Sequence, residues 1–155
     1  SLTTPQVNAM RPGIQWVSDG LYQSALAHVL PGWSAVRDSV DVIALMASPA
    51  EPLPSDVPVV VFPIDDNVAG SDRFAQVLLL AKMLAPYRIL TVCHMGENRS
   101  GLLSALILYW RGETPTQAVA NVILNGSHNS LTQPTSFWNP GFQRQVLALP
   151  FPIPA

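Results

Sequence analysis

The sequence predicts an α/β fold in which a central, mostly parallel sheet is flanked by helices and a cysteine-bearing loop joins one strand to one helix. Three observations predict it. Short runs rich in β-branched residues alternate with longer segments of helical apolar spacing, which favours layered α/β architecture. The composition, 48% hydrophobic and 12% charged, is that of a folded globule, since charged residues usually make up about 25%. The stretch "LTVCHMGENRSG", residues 90–101, sets an apolar run against a loop that carries the only cysteine.

Residues 1–13 are polar with two prolines and read as a lead-in. "IQWVSDGLYQSA" places Ile14–Val17 and Leu21–Gln23 either side of Ser18-Asp19-Gly20, a short hairpin. "PGWSAVRDS" suggests a helix from about Trp33. "DVIALM" and "VPVVVFPI" are apolar runs of buried-strand type, separated by the Pro-rich loop "SPAEPLPSD". A helix opens on Ser71 as N-cap, carries apolar residues at 74, 77, 78, 81 and 84, and closes at Pro86. "RILTV" is the next strand. "SGLLSALILYWRG" is an apolar helix stopped by Gly112, and Thr114 with Pro115 starts another. "NPGFQRQVLAL" is the last helix, and the tail "PFPIPA" has too many prolines for regular structure. The expected organisation is therefore a lead-in over 1–13, one domain over 14–149 and a Pro-rich tail over 150–155.

Charge narrows the function classes. A net charge of −2 and one lysine, Lys82, leave no basic footprint for nucleic acid or an anionic membrane. The apolar run Leu102–Trp110 is too short for the roughly 20 residues that cross a bilayer. No signal-peptide pattern opens the sequence, so a soluble, cytoplasmic protein is expected. Three histidines and one cysteine offer no zinc spacing, and no metal or cofactor is expected.

The loop itself points to phosphate chemistry. Cys93 ends a strand, Ser100 begins a helix, and ligands of open α/β sheets bind beyond the carboxyl ends of strands. A helix N-terminus there offers free N–H groups and partial positive charge. His94, Met95, Gly96, Glu97 and Asn98 can wrap those groups into an anion nest, with Gly96 at the tight turn. Arg99 adds a planar fork matched to two phosphate oxygens. Such surroundings favour the thiolate form of a cysteine, its nucleophilic form. The Ser100 hydroxyl stands within reach of the sulfur. A proton donor for the leaving oxygen is also needed, and "FPIDDN" supplies Asp65 and Asp66 at the same sheet edge, with Asp72 a little further on.

"CHMGENRS" resembles the cysteine, five residues, arginine and serine loop of the protein tyrosine phosphatase superfamily, most closely its dual-specificity branch. "VSDGLYQSA" is similar to that family's opening hairpin, "FPIDDN" to its acid loop, and "SFWNPGFQRQVLAL" to its terminal helix. The resemblance covers roughly residues 14–149. It implies hydrolysis of phosphate monoesters through a phosphocysteine intermediate, without metal. It further implies Cys93 as nucleophile, Arg99 as phosphate clamp, Asp66 as acid then base, and Ser100 as partner of the leaving thiolate. Phosphorylated proteins or small phosphomonoesters are the implied substrates.

Two departures stand out. Val92 occupies the place where most members carry histidine. Glu97 stands where phosphoinositide phosphatases tend to carry lysine, which makes a highly anionic inositol head group a poor fit. With no tyrosine-recognition loop in view, a shallow pocket for phosphotyrosine, phosphoserine and phosphothreonine is expected. The alternative is a phosphate- or phosphoprotein-binding module of the same fold with weak turnover. His94 is expected to be exposed, His128 to lie in a solvated turn, Asn139 to cap the last helix or tie down a loop, and Met83 to be core.

Overall fold

In the computed structural model, which describes residues 10–154, five strands form one sheet in the order β1-β2-β5-β3-β4. The chain runs β1 (Gln15–Ser18), β2 (Leu21–Ala25), α1 (Val29–Val36), β3 (Val42–Leu45), β4 (Val59–Val61), α2 (Phe74–Leu84), β5 (Ile89–Cys93), α3 (Arg99–Trp110), α4 (Pro115–Asn125) and α5 (Pro140–Leu147). Only the β1–β2 hairpin is antiparallel; β2, β5, β3 and β4 run parallel. The α/β sheet expected from the sequence is present.

The register explains where chemistry can sit. β5 is central, with Cys93 beside Ala25 of β2 and Val92 beside Leu45 of β3. Every residue of β5 is buried, as the continuous run Ile89–Cys93 requires of a strand covered on both faces. β4 is parallel to β3, so the segment after it emerges at the same edge as Cys93. α3 is the central helix: Ser100 to Tyr109 are all buried, and α2, α4 and α5 pack around it. A helix apolar on all sides belongs in such a place. Inside the α3–β5 contact, Thr91 Oγ1 and Ser104 Oγ share a 2.7 Å hydrogen bond.

Several expectations are corrected. α1 begins at Val29, before Trp33, because Pro31 lies in the first turn, where its missing N–H has no intrahelical partner to lose. β4 is shorter than "VPVVVFPI" suggested, and Pro63 lies just beyond it. Ser71 does not cap α2. Its own N–H and C=O are taken by Gln145 (2.9 and 2.8 Å), and the helix starts at Phe74 without a side-chain cap. Met83 is 64% exposed, because the buried face of α2 is Val77, Ala81 and Leu84.

His128 is fully buried rather than solvated. Its N–H and C=O pair with the backbone of Arg11 at 3.0 and 2.9 Å. Arg11 also donates to the carbonyls of Gly126 and Ile123, both at 2.9 Å, so this part of the lead-in is fastened to the end of α4; residues 1–9 lie outside the described residues. The Pro-rich tail forms no helix or strand among its described residues, and Tyr109 Oη anchors it through Pro150 O at 2.6 Å. Among the described residues, no helix is long and apolar enough to cross a membrane.

At the opposite end of the sheet, two arginines hold the scaffold. Arg111, just past α3, donates to the carbonyls of Ala85 (2.9 Å), Asp19 (3.0 Å), Gly20 (3.3 Å) and Tyr87 (2.7 Å). It thereby joins the hairpin turn, the end of α2 and the approach to β5. Arg88 grips Asp41 through both carboxylate oxygens, with Nη2–Oδ1 2.9 Å and Nε–Oδ2 3.2 Å.

Replacing Arg111 by Met should cost about 2–3 kcal/mol, since charged hydrogen bonds of this kind contribute about 1.5–3 kcal/mol and four carbonyls lose one, while Gly20 O is still held by Ile89 N. In thermal denaturation that is a fall of roughly 5–10 °C. The side-chain hydrogen bond from Arg88 holds the Asp41 carboxyl below its ordinary range. A folded value below the unfolded one stabilises the fold above the ordinary aspartate range, and that contribution is lost as pH falls through the lowered value. Tm of the wild type should therefore drop more between about pH 6 and about pH 3 than Tm of Asp41→Asn.

Candidate active site

A loop that receives an anion on its N–H groups must turn its C=O groups outward, and each outward carbonyl needs a donor. The structure supplies them. Met95 O accepts from Asn129 Nδ2 at 2.8 Å, and Gly96 O accepts from Gln23 Nε2 at 2.8 Å and from the Ser127 hydroxyl. Among the described residues, the N–H groups of residues 94–99 have no backbone acceptor. Gly96 takes φ +73°, and a Cβ there would stand 2.3 Å from Ala25 N and 2.6 Å from Ser24 C. Only glycine fits a backbone turn so close to β2.

Cys93 lies at the base of this loop, 1% exposed, with its Sγ 3.3 Å from Ser100 Oγ. Asn98 precedes α3 but makes no cap with its side chain. Its amide instead reaches Asp66 Oδ2 (3.0 Å) and its carbonyl accepts Asn139 N (2.9 Å), so the helix N-terminus keeps its donors for the loop side. Beside the loop is a cavity of about 340 Å³ bordered by Arg99, His94, Ser48, Asp65, Asp72 and Arg73, with Pro63 and Ile64. Arg99 Nε is buried and has no hydrogen-bond partner. Arg73 is committed elsewhere: it donates to Pro63 O at 2.9 Å and lies 4.0 Å over the Phe62 ring. That leaves Arg99 as the cavity's uncommitted cation among its described lining residues.

The other expected residues divide. His94 is exposed, as expected, with Nε2 3.0 Å from Ser48 O. Met95 is half exposed. The Glu97 side chain turns away from the cavity and is 3% exposed. Its carboxylate accepts N–H bonds from Asn129 (2.8 Å), Ser130 (2.6 Å) and Trp138 Nε1 (3.0 Å). Only the backbone of Glu97 can face an anion, and its charge does not line the cavity as the comparison with phosphoinositide phosphatases assumed. Val92 is fully buried and brings no polar group to the thiol.

Asp66 is held by two amides, Asn98 Nδ2 on Oδ2 and Asn139 Nδ2 on Oδ1 (2.8 Å), while Asp65 and Asp72 border the cavity. Asn139 does both things expected of it. Its Oδ1 caps α5 through Phe142 N (3.0 Å), and its Nδ2 ties down the acid loop through Asp66 and Asn67 O. Gly141 completes the seat: a Cβ there would meet Gly70 N at 2.2 Å and Ala69 C at 2.4 Å. Gln145 then pairs with both backbone groups of Ser71.

Sequence reasoning missed Gln23, Ser127 and Asn129, which hold the loop carbonyls. Gln23 left one signal, a long polar side chain inside the buried strand that ends at the site. Ser127 and Asn129 left none, because they reach the loop only through the folding of the α4–α5 connection. Trp16 is 53% exposed and Trp33 is in the core; neither borders the cavity.

No protein-family model matches the chain, and no curated protein does. Solved structures do. Human DUSP28 superposes with a TM-score of 0.65 at 22% identity, over 87% of this chain and 90% of that one. Tk-PTP in its active form gives 0.62 at 22%, over 89% and 95%. The human tyrosine phosphatase-like serine/threonine/tyrosine-interacting protein gives 0.64 at 17%, over 88% and 94%. The chain has the fold of the dual-specificity phosphatases.

Gly96→Ala should destabilise the protein by at least about 2 kcal/mol, through strain at positive φ and the clash with β2. Calorimetric titration with vanadate should show the oxyanion affinity of this variant lost. Asn139→Ala removes a cap and two ties to the acid loop, and should cost roughly 1–3 kcal/mol in urea unfolding.

Proposed function

We propose that this chain is a cysteine-dependent phosphatase that hydrolyses phosphate monoesters, phosphotyrosine first and phosphoserine and phosphothreonine as well, in phosphorylated proteins or small molecules. One observation carries the reading: the buried Arg99 Nε, without a hydrogen-bond partner, borders a cavity beside the loop whose base holds the Cys93–Ser100 pair at 3.3 Å. A buried guanidinium N–H without an acceptor is costly, and a phosphate oxygen is the acceptor its geometry suits. The fold shared with the dual-specificity phosphatases supports the same reading.

In the proposed reaction the dianionic ester docks on the loop amides and Arg99. Cys93 Sγ attacks phosphorus, the P–O bond to the leaving group breaks, and a carboxylic acid protonates the departing oxygen. Water then attacks the phosphocysteine, giving its proton to the same carboxylate. The P–S bond breaks as inorganic phosphate leaves, and the Ser100 hydroxyl hydrogen-bonds the thiolate released. The resemblance assigns the acid to Asp66. Its carboxyl must then rotate away from the amides of Asn98 and Asn139 toward the cavity that Asp65 and Asp72 already border. That engagement of Asp66 is also the observation favouring the second reading, a phosphate- or phosphoprotein-binding module with weak turnover.

Aryl phosphate hydrolysis without added metal tests both. Cys93→Ser should abolish turnover. Asp66→Asn should slow phenyl phosphate by about 10²–10³-fold but p-nitrophenyl phosphate much less, because a good leaving group needs little protonation. Transfer of that leaving-group signature to Asp65→Asn would reassign the acid. Vanadate binding without any turnover by the wild type would establish the binding module instead.

A further inference from the structure

We propose that Glu97 is a positioning residue whose buried carboxylate latches the phosphate loop to the α4–α5 connection and so sets the loop's affinity for a tetrahedral oxyanion. The inference rests on the reading that this loop binds phosphate, and it concerns how the loop is held in shape.

A carboxylate that is 3% exposed is tolerated only when its oxygens are satisfied. Glu97 has three N–H donors. Asn129 N and Ser130 N meet Oε2 at 2.8 and 2.6 Å, and Trp138 Nε1 meets Oε1 at 3.0 Å. Two successive backbone amides on one oxygen mean that the connection curls around the carboxylate. The Nε2 of the buried His128 lies 4.0 Å from Oε2, beyond hydrogen-bond reach. The same connection donates to the loop's outward carbonyls, through Asn129 Nδ2 on Met95 O and the Ser127 hydroxyl on Gly96 O. Three consecutive loop residues, 95 to 97, are thus held from outside by one short segment.

This arrangement fixes the side of the loop that an anion does not touch. With the carbonyls of Met95 and Gly96 drawn outward, the loop amides keep the opposite direction. Among the three anchors, the Glu97 side chain alone takes three N–H donors, two from the 129–130 turn and one from Trp138. Its amide isostere cannot replace it, because glutamine turns an NH2 group toward one of those donor sets. An N–H would then face an N–H, and the latch would open on that side.

The test is calorimetric binding of tungstate to the whole chain, read beside thermal denaturation. Glu97→Gln should bind at least about tenfold more weakly at a temperature well below its Tm, with kcat/KM for aryl phosphate falling at least as far. Trp138→Phe removes one donor and leaves the carboxylate in place, and should weaken binding about threefold. Should Glu97→Gln not fold, Trp138→Phe carries the decision through the same affinity. Val40→Ala, a core change near the start of β3 and away from the site, controls for lowered stability and should keep wild-type affinity. Unchanged affinity in a folded Glu97→Gln, or in Trp138→Phe where that is the variant that folds, overturns the proposal. So does an equal loss in Val40→Ala. A wild type that binds tungstate without hydrolysing any ester defeats the proposed turnover but leaves the Glu97 effect readable in binding. A wild type that binds no oxyanion defeats both.

Discussion

A loop of backbone amides can face an anion only if something else accepts the burden of its carbonyls. That requirement organises this molecule around residues 93–99. Carbonyl oxygens at Met95 and Gly96 point at donors from β2 and from the α4–α5 connection. The buried carboxylate of Glu97 organises that connection in turn. Without outward partners the loop would satisfy itself by turning inward, because unpaired buried backbone groups are rarely tolerated. The site is therefore as much a property of its outer supports as of the residues that line the cavity.

The second loop depends on the first through one amide. Asn98 sits between them, giving its Nδ2 to Asp66 and its Oδ1 to Asn139 N. Asn139, Gly141 and Gln145 then form a seat for residues 66–71, each by a different means: hydrogen bonds, the absence of a side chain, and a two-way pairing with backbone. This gives the terminal-helix motif a physical meaning. Its spacing puts Asn139 at the helix cap and Gly141 and Gln145, four residues apart, on the helix face that lies against residues 66–71. A rotation of Asp66 toward the cavity breaks its hydrogen bonds to the amides of Asn98 and Asn139, which keep their other partners, Asn139 N for Asn98 and Asn67 O and Phe142 N for Asn139.

Stability and chemistry are separated along the sheet. The carbonyl-collecting Arg111 and the Arg88–Asp41 pair stand at the amino end of β5, far along the strand from Cys93. At the carboxyl end, cations are scarce. Arg73 is spent on Pro63 O and the Phe62 ring, so the positive charge left at the cavity is that of Arg99 and of the backbone dipoles. Under the proposed function, this economy in a chain with one lysine suits a single phosphate group better than a polyanion.

Periodicity and local chemistry were legible in the sequence. The apolar strand ending at Cys93, the apolar helix from Arg99, the Thr114–Pro115 start of α4 and the Asn139 cap are all interactions within a few residues, which spacing encodes directly. The loop motif was legible for the same reason, since Cys93, Gly96 and Arg99 lie on one continuous turn. What the sequence could not show were contacts between distant segments. Ser71 looks like a cap until Gln145 takes its backbone. His128 looks like a solvated turn until Arg11 pairs with it. Glu97 looks like a charge in the cavity until the 129–130 amides and Trp138 draw it inward. Local pattern determined the elements and the order of the loop residues. Long-range hydrogen bonding, which no spacing rule records, decided which way each polar side chain turned.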